Sequence, residues 1–198
     1  MRGVDEPDRR GRTGLDAVGR DLSGNPRVRV VDVEVLSTDW HVTRATTLEV
    51  QDASGTWSRQ RRETYDRGNG ATILLYDPTR RTVLLTRQFR FPAYVNGHPD
   101  GLLVETAAGL LDDDSPETAI RREAEEETGV VLGEVEHVFD AYMSPGSVTE
   151  RLHFFAAPYS DEGRGGTRAG LEAEGEDIEV LEVDIDEALA QIGSSIID

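Results

Sequence analysis

The chain has 198 residues, no cysteine, and 21 basic against 39 acidic side chains, a formal charge of −18. This length suits one domain with a small appendage. The lack of cysteine excludes disulfides, thiolate metal sites and a cysteine nucleophile, and the negative charge argues against nucleic-acid or membrane partners. No stretch approaches the roughly 20 apolar residues of a membrane span, and Met1–Pro26 lacks the apolar block of a signal peptide. We therefore expect a cytoplasmic protein.

The N-terminal part of the chain changes character at residue 27. Residues 1–26 are rich in Gly, Arg and Asp without hydrophobic periodicity, which is typical of a flexible tail. Alternating apolar residues then predict a small antiparallel sheet within residues 27–66, with strands at Val28–Val35, Ala45–Val50 and Ser58–Tyr65. Gly68-Asn69-Gly70 marks a turn that closes this region.

The first elements of the region from residue 67 to 198 are a hairpin and a helix. Ala71–Tyr76 and Thr82–Leu85 are apolar runs joined by Asp-Pro-Thr-Arg, which is typical of a turn. Leu102–Glu105 is a further strand candidate. The helix is predicted over Ser115–Thr128, because Ser115 suits the N-cap, Pro116 the first helical position, and Gly129 the C′ position.

The pattern after the helix returns to strands. Gly133–Met143 and Val148–Ala157 are predicted strands, followed by an acidic, Gly-rich loop over about residues 160–177. A strand at Ile178–Val183 and a short helix near Ile185–Ile192 complete the elements. Mixed strands around one capped helix predict an α+β fold.

The predicted helix carries an unusual acidic face near its C-terminal end. Glu123, Glu126 and Glu127 lie three or four residues apart, so they share one face and repel one another. The helix dipole is also negative at this end, where acids are unfavourable. A divalent cation would compensate, since hard cations take oxygen ligands. The alternative is a solvated acidic face that Arg121 and Arg122 partly neutralise.

The region around this helix resembles the Nudix box, G-x5-E-x7-R-E-U-x-E-E-x-G-U, where U is apolar. Residues Arg122–Val130, R-E-A-E-E-E-T-G-V, fit the second half without exception. In the first half the loop after Gly109 is one residue short, and Asp114 stands where the pattern has Glu. The box therefore covers about residues 109–129.

The resemblance extends over most of the chain, from about Val35 onward. The segments concerned are Arg62–Ala71, Arg87–Arg90, Tyr142–Gly146 and Asp177–Val180. They resemble the GDP-mannose pyrophosphatase branch of the Nudix hydrolases, which is close to the ADP-ribose pyrophosphatases. This resemblance implies an α/β/α Nudix sandwich preceded by a small antiparallel β-sheet domain used in homodimerisation. In relatives a Gly-Lys turn and a final helix follow the segment that corresponds to the last residues of this sequence. Without them we expect a pocket that binds the sugar side of the substrate more weakly.

The resemblance also implies roles for individual residues. Glu123, Glu126, Glu127 and Glu176 are the expected catalytic carboxylates. Glu123, Glu127, Glu176 and the carbonyl of Ala108 are the expected ligands of Mg²⁺, with Mn²⁺ as a substitute. The residues expected to bind substrate are Trp40 on the base, Arg61, Arg62 and Glu63 around the nucleotide, and Arg90 and Glu150 at the diphosphate and sugar end.

The function that follows is Mg²⁺-dependent hydrolysis of a nucleoside diphosphate sugar, with GDP-mannose converted to GMP and mannose 1-phosphate. An ADP-ribose or ADP-sugar pyrophosphatase is an alternative, because base selection depends on few contacts. From other classes, a non-catalytic Nudix-fold ligand sensor would not need all three box glutamates. An acidic mimic of nucleic acid would spread its charge, whereas the excess here is concentrated in Asp112–Glu127 and Asp161–Glu187.

Overall fold

The computed structural model describes residues 22–160, 168–170 and 177–197. The chain divides into two compact units. The first comprises the chain up to Asn69 together with Ala141–Leu152, and the second comprises Gly70–Asp140 and the chain from His153 onward. Most of the predicted tail, residues 1–21, lies outside the described residues.

The first unit is built on a three-stranded antiparallel sheet in the order β1-β2-β3. The strands are β1 (Val28–Thr38), β2 (Val42–Gln51) and β3 (Trp57–Asp66), so each predicted strand is present and slightly longer than expected. Asp52 shapes the β2–β3 turn, because its Oδ1 accepts hydrogen bonds from the N–H groups of Ser54 and Thr56, at 2.8 and 2.9 Å.

The segment 141–152 joins this unit through the end of β3. The N–H of Tyr65 donates to the carbonyl of Ser147 at 2.8 Å, and the N–H of Thr149 donates to the carbonyl of Tyr65 at 3.1 Å. Thr149 also donates from its hydroxyl to Asp66 Oδ1 at 3.1 Å. The end of β3 and the segment 141–152, distant in sequence, are therefore close together in this unit.

A buried ion pair connects β2 with the end of β3. The Arg44 guanidinium pairs with the Asp66 carboxylate, and the side chains of both residues are at least 95% buried. Removing one partner of such a pair leaves an uncompensated charge in a region of low dielectric. We therefore expect Asp66→Asn to lower the free energy of unfolding by about 3–5 kcal/mol, measured by chemical denaturation.

The matched control for this prediction is Glu49→Gln, in the same sheet. Glu49 makes an exposed contact with Arg29 at 3.9 Å, and such pairs contribute about 0–1 kcal/mol. Equal stability losses in both variants would contradict a structural role for the buried pair.

The second unit contains the larger sheet, whose described strands run in the order β10-β11-β5-β4-β9-β8, with β6 paired to β5 and β7 to β4. The strands are β4 (Gly70–Asp77), β5 (Thr82–Phe89), β6 (Leu102–Glu105), β7 (Ala107–Leu110), β8 (Glu136–Tyr142), β9 (Arg151–Pro158), β10 (Arg168–Ala169) and β11 (Ile178–Asp184). The helices are α1 (Phe91–Val95), α2 (Pro116–Thr128) and α3 (Ile185–Gln191).

The two faces of this sheet are covered by different helices. Side chains alternate between the faces of a strand, and on β5 the residue Leu84 packs with Ile120 of α2 in the main core. Its neighbours Val83 and Leu85 pack with Ala188 of α3 in a second cluster. The predicted α+β fold, an α/β/α sandwich with a small N-terminal sheet, is confirmed.

Three short elements are absent from the sequence-based prediction. These are α1, β7 and β10, of five, four and two residues. Residues 107–110 read Ala-Ala-Gly-Leu, which has no strand periodicity, and β7 forms because these residues pair with Gly70–Ile73 of β4. None of the helices in the described part of the chain is long and apolar enough to span a membrane.

Candidate active site

The acidic helix α2 has the ends that the sequence predicts. Ser115 is the N-cap, and its Oγ accepts a hydrogen bond from the N–H of Thr118 at 3.2 Å. Pro116 occupies the first turn, and Gly129 ends the helix with φ of 72°, a left-handed conformation that glycine adopts without strain. These caps fix the position of the glutamates between them.

The three glutamates of the acidic face differ in their surroundings. Glu127 is only 4% exposed, and its Oε2 accepts a hydrogen bond from the N–H of Ala108 in β7 at 3.1 Å. Glu123 and Glu126 are partly exposed and contact the same arginine. The structure thus brings Ala108, Glu123 and Glu127, expected as metal ligands, together with Glu126, expected as a catalytic carboxylate.

Arg122 compensates part of this negative charge. Its Nη1 lies 2.7 Å from Glu123 Oε1 and 3.4 Å from Glu126 Oε2. Burial alone would lower the pKa of Arg122, but the charges of Glu123, Glu126 and Asp112 outweigh that effect and raise it. The alternative considered above, neutralisation of the acidic face by an arginine of the preceding turn, is therefore partly realised for Glu123 and Glu126.

Asp114, which departs from the Nudix box pattern in sequence, lies near the box arginine Arg122 in the structure. Asp114 Oδ2 lies 3.8 Å from Arg122 Nε, whereas Glu123 contacts Nη1 of the same guanidinium. An acid therefore stands beside the box arginine even though the loop is one residue short.

The Glu123 carboxylate lies against the backbone of Gly109. A Cβ placed on Gly109 would lie 2.1 Å from Glu123 Cδ and 2.4 Å from both carboxylate oxygens. Real Cβ atoms do not approach other atoms so closely, so only glycine leaves room for Glu123 in this position. The presence of glycine at the first position of the box thus has a direct steric explanation.

This arrangement fits a hard divalent cation. The donors are carboxylate oxygens on one helix face, next to the backbone of β7, and such oxygens are the ligands that Mg²⁺ takes. The missing side chain at Gly109 leaves the space that the Glu123 carboxylate occupies. Glu176, the fourth expected carboxylate, lies outside the described residues.

Arg90, expected at the diphosphate, is held by a buried acid. Its Nε lies 3.0 Å from both carboxylate oxygens of Glu105, and its Nη2 lies 2.7 Å from Oε2. Glu105 is 8% exposed and also accepts from Gln88 Nε2 at 3.4 Å. The contact of Glu105 with Arg90 was not predicted from the sequence. The available signal was an acidic residue at the end of an apolar strand.

The expected nucleotide-binding residues lie in the first unit and form separate groups. Arg61 and Glu63 share one side of β3 and contact each other at 2.8 Å, and Arg61 also reaches Glu34 at 3.2 Å. The hydrogen bonds to Glu63 and Glu34 raise the pKa of Arg61. Arg62 lies on the opposite side of the strand, where its Nη2 donates to Gln60 at 2.6 Å.

The two other expected substrate contacts in this unit also differ in exposure. Trp40 is 55% exposed, so its ring is accessible for stacking. Glu150 is 9% exposed, and its Oε1 lies 3.6 Å from Arg67 Nε. Glu150 therefore has a partner inside the unit.

Comparison with known families identifies the class of protein. The model of the NUDIX domain matches residues 66–196, about two thirds of the chain. The chain belongs to the Nudix family and is a Nudix hydrolase, as predicted. Residues 27–65 match a second model, described as the GDP-mannose pyrophosphatase NudK N-terminal domain.

Individual relatives narrow this assignment. The chain is 53% identical over 165 residues to GDP-mannose pyrophosphatase of Pectobacterium atrosepticum, covering 83% of this chain and 84% of the relative. It is 51% identical to the protein of that name from Klebsiella pneumoniae, covering 83% and 82%. Among solved structures, an ADP compounds hydrolase matches with TM-score 0.61 at 15% identity, over 84% of each chain, which shows a shared fold.

Proposed function

We propose that the chain hydrolyses the diphosphate bond of a nucleoside diphosphate sugar, and that GDP-mannose is its substrate, giving GMP and mannose 1-phosphate. The observation that carries the proposal is the set of glutamates on α2, with Glu127 buried at 4% exposure and Gly109 shaped around Glu123. The choice of GDP-mannose is supported by relatives of that name at 53% and 51% identity.

The metal of this reaction is proposed to be Mg²⁺, with Mn²⁺ as a substitute. Nudix hydrolases generally use divalent metals, and Glu123, Glu127, Glu176 and the Ala108 carbonyl are the proposed ligands. When bound, such an ion neutralises charge on the diphosphate and lowers the pKa of a water molecule in the site.

The other side chains of the second unit prepare the site for a polyanion. Arg122 contacts Glu123 and Glu126 and so neutralises part of the negative charge on this face of α2. Arg90 is proposed to meet the diphosphate and sugar end. Its bidentate contact with Glu105 fixes the guanidinium plane, and its side chain stays 42% exposed.

Trp40 is proposed to stack on the base of the nucleotide, with Arg61, Arg62 and Glu63 around it and Glu150 at the sugar end. Stacking of a base on an aromatic ring contributes about 1–3 kcal/mol. We therefore expect Trp40→Ala to raise KM for GDP-mannose by about 5- to 150-fold with little change in kcat, measured by steady-state kinetics.

The control for this prediction is the other tryptophan of the chain, Trp57. It lies in the same sheet, with the Arg29 guanidinium 3.8 Å from its ring centroid. Trp57→Ala is expected to leave KM unchanged, and an equal rise in both variants would contradict base stacking by Trp40.

Two further parts of the proposal concern the assembly and location of the protein. The proposed active form is a cytoplasmic homodimer, with residues 27–66 as the dimerisation region and 67–198 as the hydrolase region. The absence of cysteine suits a reducing compartment. Light scattering after gel filtration tests the dimer, and a monomer that is fully active would contradict it.

The substrate is tested by comparing kcat/KM for GDP-mannose, ADP-ribose and ADP-glucose with Mg²⁺ present. The proposal expects GDP-mannose to be preferred. A preference for an ADP-linked substrate would keep the enzyme class and replace the substrate. No turnover of any of the three by a folded, Mg²⁺-binding protein would favour a ligand sensor.

A further inference from the structure

A second cluster of side chains that could bind a metal lies on the adjacent strands β8 and β9, outside the acidic helix α2. His137 Nε2 lies 2.7 Å from Asp140 Oδ1, and His153 Nδ1 lies 2.8 Å from the same oxygen. One nitrogen of each histidine and one oxygen of Asp140 all lie within 4.8 Å of one another. The sequence does not predict this cluster, because spacings of 3 and 13 residues match no metal motif.

The chemistry of the three donors is that of a transition-metal site. Two imidazoles and one carboxylate are a ligand set that Zn²⁺ and similar cations accept, with water in the remaining position. Bonds of 2.0–2.2 Å in a tetrahedral site put donor atoms about 3.3 Å apart. The separations of 2.7 and 2.8 Å to Asp140 therefore need to open by about half an ångström.

The cluster is also accessible and otherwise uncompensated. His153 is buried, whereas the side chains of His137 and Asp140 are 50% and 35% exposed, which provides an entry path and room for water. Among the described residues, the hydrogen bonds and ion pairs of Asp140 come from these two imidazoles, with no arginine paired to it. A cation can replace the two hydrogen bonds without displacing another partner.

We propose that His137, Asp140 and His153 form a binding site for one Zn²⁺ ion, separate from the oxygen-only site on α2. Nitrogen ligands favour Zn²⁺ over Mg²⁺, which prefers oxygen and keeps several waters. The bound ion would connect edge strand β8 to β9, so that Zn²⁺ stabilises the folded protein by mass action. This proposal does not depend on the substrate of the enzyme.

The test is a calorimetric titration of the chelator-treated, full-length protein with ZnCl₂ in excess MgCl₂, which competes with Zn²⁺ for the glutamates of α2. Histidine ring ¹⁵N–¹H spectra are recorded in parallel. We expect one Zn²⁺ per chain, shifts confined to two of the four histidines, and a higher melting temperature. His137→Gln and Asp140→Asn, both at exposed positions, should each weaken binding at least about tenfold, since even outer-shell changes cost 10–100-fold.

The control is His98→Gln. His98 pairs with Asp100 at 3.1 Å in the loop after α1 and has no part in the cluster. Unchanged binding in this variant, with losses in the other two, would support the proposal. No Zn²⁺ binding by the wild type, or binding that all three variants retain equally, would overturn it.

Discussion

Glu127→Gln is expected to keep the fold and to lower kcat by about 10³-fold or more. The amide has the shape of the carboxylate, and its oxygen can still accept the hydrogen bond that Ala108 N–H donates at 3.1 Å. What is lost is the charge of a group that is only 4% exposed and that we propose as a metal ligand. The measurement is kcat for GDP-mannose, together with circular dichroism and the melting temperature.

The control for this variant is Glu125→Gln, two residues earlier on the same helix. Glu125 is exposed and lies about 200° around the helix from both Glu123 and Glu127. The same loss of one negative charge at this position should leave kcat near the wild-type value. Near-wild-type turnover by Glu127→Gln would remove the catalytic assignment, and an equal loss in both variants would indicate a general effect of charge.

Gly109→Ala is the second change with a large expected effect. Its Cβ would lie 2.1 Å from Glu123 Cδ, so the carboxylate must move while the backbone can stay. Glu123 is a long side chain and can rotate away, so the melting temperature should change little. A misplacement of about 1 Å at a reacting site can lower the rate about 10²-fold, and we expect a loss of that size with a higher Mg²⁺ requirement.

Gly133→Ala is the matched control for this substitution. A Cβ on Gly133 would have no neighbour within 4 Å, so the same change of residue should have no effect on activity. If Gly109→Ala were as active as Gly133→Ala at all Mg²⁺ concentrations, the position of Glu123 would not matter for the reaction.

The sequence predicted the acidic helix well because its signals are local. Capping by Ser115, proline in the first turn and glycine at the end act within a few residues of the helix. Spacing along one helix also placed Glu123, Glu126 and Glu127 on one face. The hairpin β4–β5 was predicted for the same reason, since Asp77 Oδ1 accepts from the N–H groups of Thr79 and Arg80 within the turn.

The contacts that the sequence did not predict join residues far apart in the chain. Gly109 meets Glu123 and Arg90 meets Glu105 only because β7 and β6 pair with β4 and β5. The cluster of His137, Asp140 and His153 likewise depends on β8 lying beside β9. No alternation or capping pattern encodes these pairings, because they depend on the register of the sheet.

The packing of the chain also joins distant segments. The hydrolase region predicted over residues 67–198 includes Ala141–Leu152, a segment that groups by its contacts with the first unit. The hydrogen bonds of Tyr65 with Ser147 and Thr149 hold this segment there. Composition divides a chain into continuous regions, whereas a packed unit can combine segments that are distant in sequence.

The most direct test of the account is to incubate the protein with GDP-mannose, with and without Mg²⁺, and to identify the products by chromatography. The account predicts Mg²⁺-dependent release of GMP and mannose 1-phosphate in equal amounts, and none from Glu127→Gln on the same timescale. Release of GDP and free mannose would mean that the sugar–phosphate bond is cleaved instead. That result, or cleavage that does not require a divalent metal, would contradict the proposed diphosphate hydrolysis.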